Sequence, residues 1–426
     1  MSAKNSFNKL LRITALALVG IGLVACVMKD KGSGAEKFER VPTGEPAQIA
    51  RIAEQTTDLQ DKRTVLPEQK DRLLRGVHPK SHGCVSAEFI INSDIAKKYR
   101  VGLFANPGKK YAAQIRFSNA SVKLAHDMED GKNGSRGMAI KVFDVPGKFL
   151  ESDGGRQNQD FLMINTPEFA FSDVRGYAFL TDALQASEHG NNADSLFSLV
   201  LILAKINQTP PPFPKPVAED LNKLAGFLAS QNRQLPEGFE LKDLNDLTQT
   251  LNIVLTKIQT RTVRNPLQVQ YFGAASFMFG PDRVMKFSVS PEPSTAQPDF
   301  ASPPDENYLA EALTQTMQGS GQINFDFRIQ VRDQKADFGP EQQLIESTIT
   351  TWDTSDQKEV DAYENVARVI VRAPQQTNTD AAKAACEILA FTPWHSLAAH
   401  QPVGGINRLR RSVYYNSAKH RGAKVE

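Results

Sequence analysis

Eight short runs rich in β-branched and aromatic residues, four on each side of a helical stretch, limit what this 426-residue chain can become. The first four are residues 86–92, 113–118, 138–144 and 160–165. The second four are 269–279, 283–291, 323–332 and 365–372. Between the sets lie helical patterns at 196–206, 217–231 and 241–260. In the last of these, Leu244, Leu247, Leu251, Val254, Leu255 and Ile258 recur at helical spacing. Proline-rich breaks at 210–212 and 291–304 punctuate the order, and helices return at 381–389 and from Ile406 to about His420. Four strands, a helical insert, four strands and terminal helices predict an α+β protein. Its strands are expected to close into an antiparallel β-barrel of about eight strands.

Bulk properties narrow the function classes. The chain is 40% hydrophobic and 23% charged, the balance of a globular protein that buries a large core. Its 50 basic and 48 acidic residues leave a net charge of +2, so no nucleic-acid partner is expected. The N-terminus departs from this average. Lys4, Lys9 and Arg12 precede an uncharged stretch, residues 13–25, that stops at Cys26 and is short for a membrane span. The segment Leu23-Val24-Ala25-Cys26 resembles the lipobox of bacterial lipoproteins, which implies a signal peptide over residues 1–26 and a lipid anchor at Cys26. The expected location is the cell envelope, anchored to the membrane and facing the periplasm. Residues 27–48, rich in Lys, Gly, Ser and Glu without an apolar period, read as a flexible tether, and residues 49–426 as one domain. Export permits a disulfide between Cys84 and Cys386, but two cysteines so far apart read equally as separate buried thiols.

Four segments carry candidate chemistry: Arg75-Gly76-Val77-His78, Arg116-Phe117-Ser118, Asn165-Thr166-Pro167 with Phe169 and Phe171 beyond it, and the basic helix Arg410-Arg411-Ser412-Val413-Tyr414 continuing to Arg421. Each alone is weak. Together, in this order, they resemble the catalase superfamily of haem proteins, over about residues 70–180 and 390–421. Arg136-Gly137-Met138-Ala139-Ile140-Lys141 is similar to the strand that follows the Arg116 segment, and the stretch 402–408 resembles the smaller, divergent bacterial branch and its relatives fused to lipoxygenases.

The resemblance implies haem b with iron ligated by Tyr414, and His78, Ser118 and Asn165 as the catalytic group. Arg75, Arg116, Arg410, Arg421 and Phe169 would hold the cofactor. The physical chemistry agrees. A phenol with a pKa near 10 ligates iron well only if its anion is stabilised, and an arginine one helical turn back supplies a permanent positive charge. Arg410–Tyr414 has that spacing, and so does Arg411–Tyr415. The two tyrosines point about 100° apart on a helix, so one of them faces the ligand, and the family register favours Tyr414. A tyrosinate is the axial ligand of catalase. An imidazole such as His78 suits the shuttling of a proton from a peroxide to its departing oxygen. Arginines clamp carboxylates such as haem propionates.

One departure qualifies the activity. Catalases carry two asparagines before Thr-Pro, whereas here Ile164 and Asn165 stand there, so an isoleucine is expected where the first amide would be. The leading expectation is therefore a haem-dependent catalase or peroxidase acting on hydrogen peroxide or an organic hydroperoxide. Rearrangement of fatty-acid hydroperoxides, as in allene oxide synthase-like relatives, is the second reading. A haem-binding lipoprotein without turnover is the third. An oligomer is compatible with all three. A zinc site on His78, His82 and Cys84 lacks a completing pair.

Overall fold

The computed structural model describes residues 35–62, 74–120, 127, 134–188, 196–235, 237–258, 261, 263–292, 306–333, 345–346, 348, 351–352, 362–423 and 425. The expected signal peptide, the lipobox with Cys26 and tether residues 27–34 lie outside these.

Eight antiparallel strands close into a barrel in sequence order: β1 (Ser81–Ile91), β2 (Lys110–Asn119), β3 (Arg136–Val142), β4 (Gln159–Ile164), β5 (Tyr271–Met278), β6 (Arg283–Pro291), β7 (Gly321–Asp333) and β8 (Glu364–Ala373). Closure is made by β8 on β1, with Phe89 opposite Val369 and Ala87 opposite Val371. The two halves meet at β4 and β5 through the single pair Ile164–Phe272, where the helical insert leaves and re-enters the sheet. Alternation along the strands sends one set of side chains inward. Phe89, Phe161, Phe287 and Phe327 fill the interior with ring contacts of 4.7–6.1 Å between centroids. Among the described residues the barrel interior is a packed hydrophobic core.

Helices cover the outside. The insert comprises α2 (Val174–Glu188), α3 (Leu196–Ile206), α4 (Ala218–Ser230) and α5 (Leu241–Ile253), the last continuing as a π-turn over Val254–Ile258. Leucines at helical spacing give α3–α5 their own core, with Leu203, Leu224, Leu228, Leu244, Leu247 and Leu251 buried together. α6 (Tyr308–Gln318) follows β6, and α7 (Asp380–Ile388) and α8 (Gly405–His420) end the chain. α8 packs on α1 (Glu45–Lys62) and α2 through Ile49, Ile52, Val174, Tyr177, Ile406, Leu409 and Val413.

One expectation is corrected and one open alternative is resolved. The described part of the tether, residues 35–48, is docked. Phe38 is fully buried with Met278, Trp352 and Val403, and Glu39 and Glu45 both pair with Arg408 on α8. Composition alone hid this because the anchoring partners lie more than 200 residues away. The cysteines are not separate thiols: Cys84 on β1 and Cys386 on α7 form a disulfide with their Cα atoms 5.5 Å apart. It spans 302 residues of sequence, so it restricts the unfolded chain strongly. Replacing both cysteines with alanine should lower the unfolding free energy by about 2–5 kcal/mol. Urea unfolding midpoints of the two proteins, measured without reductant, check this.

Candidate active site

β2 pairs with β1 so that Arg116 stands opposite Cys84, and with β3 so that Arg116 stands opposite Ala139 and Ser118 opposite Gly137. Phe117, between Arg116 and Ser118, points into the barrel core, so Arg116 and Ser118 share the outer face. On this face, between the barrel wall and α8, lies a cavity of about 340 Å³, within the ~300–1,000 Å³ usual for small-molecule sites. Arg75, His78, Arg116, Ser118, Ile164, Phe169, Arg410, Tyr414 and Arg421 all line it.

His78 sits in the loop before β1 with φ at 55°, the left-handed region that few non-glycine residues adopt. Two contacts hold it there. Arg116 donates from Nη2 to the His78 carbonyl at 3.0 Å, and Ser118 Oγ lies 3.0 Å from His78 Nδ1, a hydrogen bond in either tautomer. With Nδ1–H donating to Ser118, Nε2 is left as the proton acceptor. Burial, reinforced by the charges of Arg116, Arg410 and Arg75, lowers the His78 pKa to about 3, so the ring is neutral at physiological pH. Gly137 makes the approach possible: a Cβ there would stand 2.4 Å from His78 Nδ1 and 2.9 Å from Ser118 Oγ. In the sequence, Gly137 lies in the strand similar to the one that follows the Arg116 segment and carries no role of its own. A glycine inside a β-strand was the available signal, since it often marks close approach.

On α8 the spacing argument holds geometrically. The Arg410 guanidinium lies over the Tyr414 ring, 5.5 Å from its centroid, and donates from Nη1 to Asn407 Oδ1 at 3.1 Å. Tyr415 does not line this cavity; Lys419 lies over its ring. Arg411 points elsewhere, pairing with Glu151 and covering Trp394. Phe169 stacks with Tyr177 at an interplanar angle of 16° and meets Phe171 edge-on, forming an aromatic wall.

Asn165 is not brought to the cavity. It is buried, its Oδ1 accepts the Arg136 N–H at 2.8 Å, and its Nδ2 donates to the Gly134 carbonyl at 2.7 Å. Both polar ends are spent on holding the backbone that enters β3. Ile164, paired in register with Gly137, lines the cavity instead. The zinc reading also fails, since Cys84 is in the disulfide and His82 is buried against Asn119 and Asp127.

One residue escaped the sequence reading altogether. Glu387, next to Cys386, is 3.4 Å from Arg75 Nε and 3.3 Å from Arg116 Nη2. Burial would raise its pKa, but Arg116, Arg75 and Arg421 outweigh that and hold it at about 2.

The residues present fit a haem. Arg116 Nε is buried and makes no hydrogen bond among the described residues, which is a donor suited to a carboxylate. The Tyr414 phenol beneath a guanidinium offers an oxygen ligand, and the aromatic wall offers a flat apolar surface. The His78 pKa also sets a pH dependence. Between about pH 3 and 6.5 the unfolded chain carries a proton that folded His78 lacks, so stability is complete above this window and falls as pH drops through it. The slope should reach about 1.4 kcal/mol per pH unit for this residue, and His78→Gln should flatten it. Urea midpoints of the haem-free protein at pH 7, 6 and 5 test this.

Neither a family model nor a curated protein matches the chain. Solved structures do. A fungal catalase superposes with a TM-score of 0.57 at 14% identity, covering 83% of this chain and 61% of that one. Catalase A from Saccharomyces cerevisiae gives 0.53 at 14% identity (84% and 62%), and a bacterial catalase 0.50 at 15% identity (84% and 59%). The chain thus spans about three-fifths of the length of these catalases. At such identities the likeness is one of fold, and the fold is catalase-like.

Proposed function

We propose that this protein binds haem b through Tyr414 and processes peroxides with His78 as the acid–base group. The observation that carries the reading is that a single cavity in a catalase-like fold is lined by the His78–Ser118 pair, the Arg410–Tyr414 pair and three further arginines. When bound, a tyrosinate-ligated haem supplies a ferric centre that takes oxidising equivalents from a peroxide. The chain's own residues do the rest. His78 Nε2 accepts the proton of an incoming hydroperoxide and returns it to the departing oxygen, with Ser118 fixing the ring. Arg410, whose guanidinium lies over the Tyr414 ring, sets a permanent positive charge beside the residue that would ligate iron. Arg75, Arg116 and Arg421 supply guanidinium donors for the two propionates, and Phe169 with Tyr177 excludes water from one flank.

Ile164 favours peroxidase-type work over dismutation. An amide beside His78 would orient a second hydrogen peroxide as reductant, whereas Ile164 offers only methyl groups. Bulkier organic hydroperoxides gain apolar contact from Ile164, Phe272 and Ala274, which share the cavity. This supports the second reading, rearrangement of fatty-acid hydroperoxides. A lipid anchor at Cys26, with the domain facing the periplasm, would put such substrates within reach. Among the described residues no helix is long and apolar enough to cross a membrane.

Reconstitution with haem should yield a Soret band with the absorption of tyrosinate-ligated ferric iron. Tyr414→Phe should abolish that signature and Tyr415→Phe should keep it; a wild-type protein without a Soret band defeats the proposal. Gly137→Ala should retain the band yet slow peroxide consumption by about 10²–10⁴-fold, because displaced His78 loses its acid–base role. Oxygen release from hydrogen peroxide, compared with loss of a fatty-acid hydroperoxide without an electron donor, separates dismutase from isomerase activity.

A further inference from the structure

The three arginines expected to hold propionates share their partners with one short segment, residues 386–389. Arg75 donates from Nη2 to the Leu389 carbonyl at 2.8 Å and to the Cys386 carbonyl at 3.3 Å. Arg421 donates to the carbonyls of Glu387 and Leu389. The Glu387 carboxylate bridges Arg75 and Arg116 through its two oxygens. Carbonyls leave a guanidinium charge intact, but a carboxylate cancels one. Three guanidiniums and one carboxylate present a net +2, the charge that complements a dicarboxylate. Burial lowers the pKa of Arg421 to about 10 and that of Arg75 well below its ordinary value, so these guanidiniums are poorly hydrated where they stand.

The position of Glu387 is enforced covalently. Cys84 stands opposite Arg116 across β1 and β2, and the disulfide ties Cys386 to Cys84. The residue after Cys386 is thereby delivered to Arg116. Glu387 is not free to drift away as a surface glutamate would.

Building on the haem reading, we infer that Glu387 is a tethered internal carboxylate that competes with the carboxylates of a bound porphyrin for Arg75 and Arg116. It sets the charge of the clamp and limits its affinity for diacids. A propionate that reaches Arg116 meets the Glu387 charge a few ångströms away in a partly buried site, where like charges repel strongly. Removing that charge while keeping the side-chain shape therefore strengthens diacid binding, and only diacid binding.

The test uses iron-free protoporphyrin IX and its dimethyl ester, followed by fluorescence titration of the full-length protein. No iron is involved, so the result does not depend on ligation by Tyr414. Glu387→Gln should bind the diacid at least about 10-fold more tightly than wild type, while the ester should change by less than about 2-fold. Equal or weaker binding of the diacid, or an equal gain for the ester, overturns the inference and leaves the haem reading standing. A wild-type protein that binds neither porphyrin also overturns the inference, while the Soret band of the haem-reconstituted protein decides the haem reading separately. Circular dichroism and thermal melting establish that the variant is folded. Should Glu387→Gln not fold, Glu387→Asp keeps the charge but withdraws it by one methylene, and it is read the same way: tighter diacid binding supports competition, and unchanged or weaker binding defeats it.

Discussion

A closed barrel filled by phenylalanine rings decides where anything else can happen in this protein. Phe89, Phe161, Phe287 and Phe327 pack its interior, and closure gives every strand a neighbour on both sides. Any site must therefore be built on the outer face of the wall, with helices as its second side. The strands then act as a ruler. Residues on the outer face of β2 recur every second position, so Arg116 and Ser118 reach the same cavity while Phe117 anchors the strand between them. A one-residue slip of β2 would turn the arginine into the barrel core and the ring out of it. The core thus holds the register of the site as well as its stability.

That register accounts for the electrostatics. Desolvation penalises every ion in the cavity wall, and the chain answers by sharing counter-charges. Arg116 serves His78 through a backbone carbonyl and Glu387 through a carboxylate, both from Nη2. Burial is the main suppressor of His78 protonation, and Arg116 and Arg75, which also hold Glu387 ionised, reinforce it. A neutral imidazole beside a cationic cluster is a competent proton acceptor for a neutral peroxide. A protonated one would be inert in that step.

The strands and the α8 pair were legible because they rest on local periodicity. Residues 283–291 and 196–206 match their expected bounds, and the Arg410–Tyr414 spacing places both residues on the cavity. What escaped depends on distant partners. α1 is polar along most of its length, and its few apolar residues, Ile49, Ile52 and Ala53, acquire meaning only against Ile406 and Leu409. Residues 35–48 read as a tether because Arg408, their counter-ion, is so far along the chain. Glu387 was hidden for the same reason, and the Cys84–Cys386 bridge stayed one of two equal readings until the fold brought the two cysteines together. Asn165 misled because its residue type suits a distal amide, while its position on β4 commits it to the backbone of residues 134 and 136.

The exchange of Asn165 for Ile164 at the cavity carries a chemical consequence that follows from strand geometry. Ile164 pairs in register with Gly137, and Gly137 is the residue whose missing side chain admits the His78 ring. An amide at 164 would therefore sit on the strand next to the acid–base pair, able to hold a second polar reactant. With isoleucine there, His78 and Ser118 supply the polar contacts on that stretch of wall, and both are already engaged with each other. On the peroxide reading proposed above, such a wall would give a second hydrogen peroxide, arriving as reductant, no amide to orient it, and the choice between dismutation and single-substrate chemistry would turn on this strand position.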